Sequence, residues 1–91
     1  MNIYTVRFTP TAAKSIKRLP KEVQNRVKLK LNWLKENADI IKHVPLKGPF
    51  KGFYKLRMGN YRIIYEIDYE EFLIVVHFVG HRKEIYQSSL H

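Results

Sequence analysis

Ninety-one residues make one domain, spanning residues 1–91, and a chain of this size buries about 60–65% of its unfolded surface, so the core is modest. The absence of cysteine excludes disulfides and thiolate metal sites and fits a reducing cytosol, while 45% hydrophobic and 13% aromatic content argues against global disorder. Seventeen Lys and Arg against eight Asp and Glu leave a formal charge of +9, which favours nucleic acid, an anionic membrane surface or an acidic protein as partner without choosing among them.

Residues 2–8, NIYTVRF, alternate so that Tyr4, Val6 and Phe8 share one side, the pattern of a first strand. This N-terminus lacks the apolar run of a signal peptide. The longest apolar stretch, Phe72 to Val76, is too short to cross a bilayer, so a soluble cytoplasmic protein is expected. Thr9 reads as a helix N-cap with Pro10 at the first helical position, where its missing N–H costs nothing. A short helix through Ala12, Ala13, Ile16 and Leu19 follows. A second opens at Pro20 and carries Val23, Val27, Leu31 and Leu34 at helical spacing down to about Asn37. Together they make a helical hairpin.

The stretch from His43 to Gly52 holds two prolines and two glycines and reads as a loop. Beyond it, YKLRM and YRIIY flank Gly59-Asn60, a two-residue hairpin turn whose leading glycine suits the type II′ geometry. That turn pairs Arg57 with Arg62, Lys55 with Ile64 and Tyr54 with Tyr65. Alternation then places Tyr54, Leu56, Met58, Tyr61, Ile63 and Tyr65 on one face and Lys55, Arg57 and Arg62 on the other. Like charges directly opposite cost roughly 0.2–1 kcal/mol. Glu66 is the hairpin's one acid before the next turn, so the three cations ask for an anion from outside the chain. After a turn at Asp68–Glu71, residues 72–79 are apolar on both parities except His77, as in a strand covered on both faces, and Gly80 is expected to end it. The polar tail HRKEIYQSSLH makes a final helical turn or lies across the sheet. The expected fold class is α+β: a small antiparallel sheet of about four strands, in the order β-α-α-β-β-β, with the helical hairpin packed on one face.

If the last strand pairs beside the hairpin's second strand, its end returns Arg82 and Tyr86 to the edge where Tyr61 and Arg62 begin, with His81 next to Arg82 at the strand end. Guanidinium groups fork onto phosphate oxygens, and fixed positive charge helps most where a transition state gains negative charge. RNA brings its own nucleophile in the 2′-OH, so such a site needs a proton acceptor, a proton donor and charge stabilisation, with no metal or cofactor. His43, His77, His81 and His91 are not at paired helical spacings, and Asp68, Glu70 and Glu71 suit a solvated turn better than a metal site. The plainer readings are that exposed cations merely solvate a sheet face, that His77 is a half-buried structural residue and that Trp33 packs a helix or meets a partner.

LKGPFKGFYKLRMGNYRIIYEI followed by VGHRKEIY resembles the RelE toxins of the RelE/ParE superfamily over nearly the whole chain. The resemblance implies a small ribosome-dependent endoribonuclease of a toxin–antitoxin pair, which enters the ribosomal A site and cuts mRNA by 2′-OH attack. It implies an active site of Lys55, Arg57, Arg62, Arg82 and Tyr86, with His81 standing where others have lysine. Arg62 would stabilise the phosphate with Arg57 and Lys55 assisting, Lys55 or Tyr86 would take the 2′-OH proton, and Arg82 or His81 would help the leaving 5′-oxygen. An ordinary lysine, with a pKa near 10.4, is a poor base at neutral pH. Some relatives use a glutamate base, for which no obvious equivalent stands out, so the base stays open. The implied partners are an acidic antitoxin, mRNA and the ribosome, and operator DNA through the antitoxin. The rival readings are a ParE-like poison of DNA gyrase and a non-catalytic RNA-binding module.

Overall fold

The computed structural model describes residues 3–84. In chain order the elements are β1 (Thr5–Phe8), α1 (Pro10–Lys17), α2 (Lys21–Asn37), β2 (Val44–Pro45), a 3-10 turn at Gly48–Phe50, β3 (Tyr54–Met58), β4 (Tyr61–Asp68), β5 (Leu73–His81) and a helical segment α3 (Arg82–Glu84). The architecture is α+β, with the expected succession of elements. The sheet holds five strands in the order β1-β5-β4-β3-β2. It is mixed rather than antiparallel throughout, because β1 runs parallel to β5, with Thr5 opposite Leu73 and Phe8 opposite Val76. The chain can return in that direction because the helical hairpin carries it across the sheet between β1 and the antiparallel β3–β4–β5 unit.

Thr9 caps α1 as its position implies: its Oγ1 accepts from the Ala12 N–H at 3.1 Å, with Pro10 opening the helix. In α2, Val23, Val27, Leu31 and Leu34 are all buried. They meet Met58, Ile63 and Tyr65 of the hairpin and Ile74, Val76 and Val79 of β5, with Tyr54, Leu56 and Tyr61 packed at the margin. Each such apolar side chain contributes about 1.5–3 kcal/mol on full burial. In β1, Tyr4 and Val6 turn inward as the alternation requires, but Phe8 at the strand's end is half exposed.

Beyond Phe8 the chain leaves for α1, so β5 has no strand partner on that side past Val76. Ser15 takes over. Its buried hydroxyl accepts from the Val79 N–H at 3.0 Å while donating to the Ala12 carbonyl at 2.7 Å, so a buried backbone donor in mid-sheet stays satisfied.

Two further corrections concern the loop and the end of β5. The proline- and glycine-rich stretch contains the two-residue edge strand β2, with Val44 opposite Lys55 and Pro45 opposite Tyr54. Proline is tolerated there because an edge strand leaves one row of its backbone groups unpaired. From β2 the chain lays Leu46, Phe50 and Phe53 against Ile64 and Phe78, a second small core on the sheet face opposite the helices. This explains why β5 is apolar on both parities, and it leaves the cation-bearing face open mainly toward the hairpin tip.

Gly80 does not end β5. It is buried within the strand, opposite Arg62. A Cβ there would stand 2.6 Å from Cε2 of Phe78, so the glycine is needed for the ring that leans across it.

Candidate active site

The hairpin has the register its sequence requires: Tyr54 faces Tyr65, Lys55 faces Ile64, Leu56 faces Ile63, Arg57 faces Arg62 and Met58 faces Tyr61. Gly59 sits at φ +60°, the left-handed value that the first position of a type II′ turn demands. Across this turn α2 sends Arg26, whose Nη2 lies 3.0 Å from where a Cβ on Gly59 would be. The turn therefore needs glycine for its backbone and for the close approach of Arg26. That approach was not legible in the sequence, where Arg26 reads as one more solvent-facing helix cation.

Lys55, Arg57 and Arg62 line one concavity of about 230 Å³, together with Val44 from β2. Liquid water takes about 30 Å³ per molecule, so the space is that of a handful of waters, matched to a small anionic group. The three cations differ in setting. Arg57 is exposed and Lys55 half-buried, but Arg62 is 8% exposed. A buried charge is expensive unless hydrogen-bonded. Arg62 meets that requirement with backbone: its Nη1 donates to the carbonyls of Gly59 and Tyr61, each at 2.9 Å. The hairpin turn thus fixes one amino group of the guanidinium and aims the rest of a planar fork, with its remaining donors, along the cationic face. Glu66, the hairpin's acid, is engaged elsewhere, its Oε1 meeting Nε2 of His77 at 2.5 Å.

The end of β5 returns to this turn. Tyr61 pairs with His81 and Arg62 with Gly80, and the Arg82 N–H donates to the Asn60 carbonyl at 2.8 Å. Arg82 is thereby anchored at the tip with an exposed side chain. His81 falls on the other side. Cross-strand partners point to the same face, and its ring packs edge-on to Tyr61 with centroids 5.6 Å apart, on the face that carries the helices. The structure therefore gathers Lys55, Arg57 and Arg62, brings Arg82 to their end of the sheet and turns His81 away. Tyr86 lies outside the described residues.

The remaining titratable groups have structural work. Nε2 of His43 lies 2.8 Å from the Ala38 carbonyl, which can only accept, so in the neutral ring Nε2 carries the proton and Nδ1 accepts from the Tyr65 hydroxyl. Burial pushes the Tyr65 phenol up, with the Tyr69 and Tyr54 phenols adding to the shift. Tyr4 is pushed up to about 12 by burial and by its hydrogen bond to Asp39 at 2.6 Å. His77 stacks on Phe53 at 4.7 Å between centroids and is half-buried, in keeping with a structural role. Trp33 is 40% exposed beneath the Lys30 ammonium, 4.5 Å from its ring centroid. Among the described residues no cluster of three or more His, Asp or Glu side chains could hold a metal ion. A larger groove of about 590 Å³ runs between β1 and α2, but its lining contains no carboxylate or histidine to move a proton. Another groove, of about 560 Å³ at the far end of β4, is lined by Glu66, Asp68 and Glu70 and contains no cation, so of these three spaces the small cationic concavity is the one suited to an anionic phosphate. No helix among the described residues is long and apolar enough to cross a membrane.

The family model described as the ParE toxin of the type II toxin–antitoxin system parDE matches residues 6–86. Toxin RelG of Mycobacterium tuberculosis is 33% identical over 84 residues, covering 92% of this chain and 97% of that protein. Among solved structures, the toxin–antitoxin complex RelBE2 of the same organism has a chain that aligns with a TM-score of 0.80 at 34% identity, covering 90% of this chain and 94% of that one. The isolated Escherichia coli RelE toxin aligns at 0.71 and 26% identity, covering 96% and 95%.

Proposed function

This chain belongs to the ParE toxin family of type II toxin–antitoxin systems and is a RelE-type toxin within it, and on that premise we propose that it is a ribosome-dependent mRNA endoribonuclease acting without a metal. The observation that carries the reading is the burial of Arg62 among three cations lining one concavity, its orientation fixed by two turn carbonyls. A gyrase poison or a passive RNA binder has no need of a guanidinium held in advance. A phosphoryl-transfer site does, because donors that need no rearrangement stabilise charge as it develops.

In this reading a phosphodiester of A-site mRNA enters the concavity. The adjacent 2′-oxygen attacks phosphorus, the phosphorane's charge falls to Arg62 with Arg57 beside it, and the 5′-oxygen departs. Arg82, anchored at the tip, helps hold the RNA backbone. His81 lies on the face opposite the three cations, against Tyr61, where its Nδ1 accepts from the Lys83 N–H. Tyr86 remains a proposed contributor on the strength of the resemblance alone. The partners we propose are mRNA and ribosomal RNA, which the +9 charge would attract, and an antitoxin, as the RelBE2 complex has for its own toxin, here of acidic character to match that charge; contact with operator DNA would come through the antitoxin. The working compartment is the cytoplasm.

Primer extension on mRNA-programmed ribosomes, with wild type and Arg62→Ala, tests this. Cleavage that the substitution abolishes is the expected result. Inhibition of gyrase without cleavage would favour a ParE-like activity, to which the matching family model lends its name. Binding alone would favour a passive module.

A further inference from the structure

Cleavage by the 2′-OH needs a group to take its proton, and three cations do not supply one. The chain has eight acids. Glu22 and Glu36 lie on α2, behind the sheet. Asp39 accepts from Tyr4. Asp68, Glu70 and Glu71 form the turn at the far end of β4, where Asp68 accepts from the Glu70 and Glu71 N–H groups. Glu66 meets His77 four residues along β4 from Arg62, about 13 Å at roughly 3.3 Å per residue.

Glu84 is placed differently. Its Oε2 lies 3.5 Å from the point where a Cβ on Gly80 would stand, and Gly80 is the cross-strand partner of Arg62. Partners across an antiparallel pair project to the same face, with Cβ positions about 4.5–5.5 Å apart. The carboxylate therefore stands one strand over from Arg62, on the cation-bearing face, above Gly80 and beside the Phe78 ring that leans across it. The side chain is exposed.

We propose that Glu84 is the general base of the cleavage reaction. The proposal rests on the nuclease reading of the same site. The Glu84 carboxylate accepts the 2′-OH proton as the 2′-oxygen forms its bond to phosphorus. The bond from phosphorus to the 5′-oxygen breaks, and that oxygen takes a proton from the Lys55 ammonium. The products are a 2′,3′-cyclic phosphate and a free 5′-hydroxyl, and the two side chains then exchange their protons with water. Arg62 and Arg57 hold the phosphorane's negative charge between them. Each group acts in the sense its chemistry favours, carboxylate as acceptor and ammonium as donor.

The test is single-turnover cleavage on programmed ribosomes by wild type, Glu84→Gln, Glu84→Asp and Lys55→Ala, with ribosome affinity measured alongside. A second substrate replaces the leaving 5′-oxygen with sulfur, which departs without a proton. The expected results are a loss of about 10²–10⁴-fold in rate for Glu84→Gln at unchanged affinity and partial recovery with Asp. The sulfur substrate should leave the Glu84→Gln defect in place while restoring Lys55→Ala. Thermal melts run alongside establish that each variant is folded. A Glu84→Gln rate within about threefold of wild type, or a Glu84→Gln defect that sulfur repairs, overturns the assignment while the nuclease reading stands. Wild type that leaves the mRNA intact overturns both.

Discussion

Replacing Gly80 by alanine probes the packing that joins the end of β5 to the site. A methyl group there would sit 2.6 Å from Cε2 and 3.0 Å from Cζ of Phe78, against an ordinary carbon contact of about 3.5–4.0 Å. Phe78 is half-buried against Ile64 and Leu46, so moving its ring aside uncovers part of the second core. Overpacking of this kind costs about 1–3 kcal/mol. For a domain of this length each kcal/mol moves the melting midpoint by about 4–8 °C, so Gly80→Ala should melt about 5–20 °C below wild type by circular dichroism or calorimetry. Phe78→Leu in the Gly80→Ala background should recover part of the loss, since residues in contact are coupled. A single variant melting within a degree of wild type, or a double mutant whose loss is the sum of its parts, would refute the packing argument.

Three other outcomes are expected. Ser15→Ala leaves the Val79 N–H without its acceptor, costing about 1–3 kcal/mol, and amide exchange at Val79 should quicken by more than at its neighbours. Burial and the bond to Asp39 raise the Tyr4 phenol to about 12 from its ordinary value of 10.0. A folded-state pKa above the unfolded one contributes stability that is present below pH 10 and fades as the pH climbs toward 12. Tyr4→Phe should therefore lose less stability than wild type across that alkaline window in denaturant titrations. Arg57→Ala should weaken binding of a single-stranded RNA oligonucleotide and lower the slope of log affinity against log salt by about 0.7, as expected for one phosphate contact removed, which fluorescence anisotropy would read.

Much of the site was legible because a two-residue turn fixes register. Once Gly59-Asn60 is taken as the loop, every cross-strand pair follows, and alternation sorts the cations from the aromatics. The apolar face of α2 was equally plain, since Val23, Val27, Leu31 and Leu34 repeat at helical spacing. What escaped the sequence depends on contacts distant along the chain. Nothing local shows that β1 pairs parallel with β5, and a two-residue edge strand containing Pro45 carries too little pattern to register. Gly80 reads as punctuation until Phe78 is seen lying over it. His81 adjoins Arg82 in sequence, yet it is the last residue of β5, and its pairing with Tyr61 sets it on the helix-bearing face. The burial of Arg62 depends on carbonyls that only the folded turn presents.

The central claim is that the hairpin turn pre-sets Arg62 as a planar fork for an RNA phosphate, and Arg62→Lys tests it most directly because it keeps the charge and removes the fork. Single-turnover cleavage on programmed ribosomes, run at a temperature where melts show the variant folded, should fall by about 10²–10³-fold, as when a donor to a developing oxyanion is lost. Cleavage at the wild-type rate by the lysine variant would contradict the account.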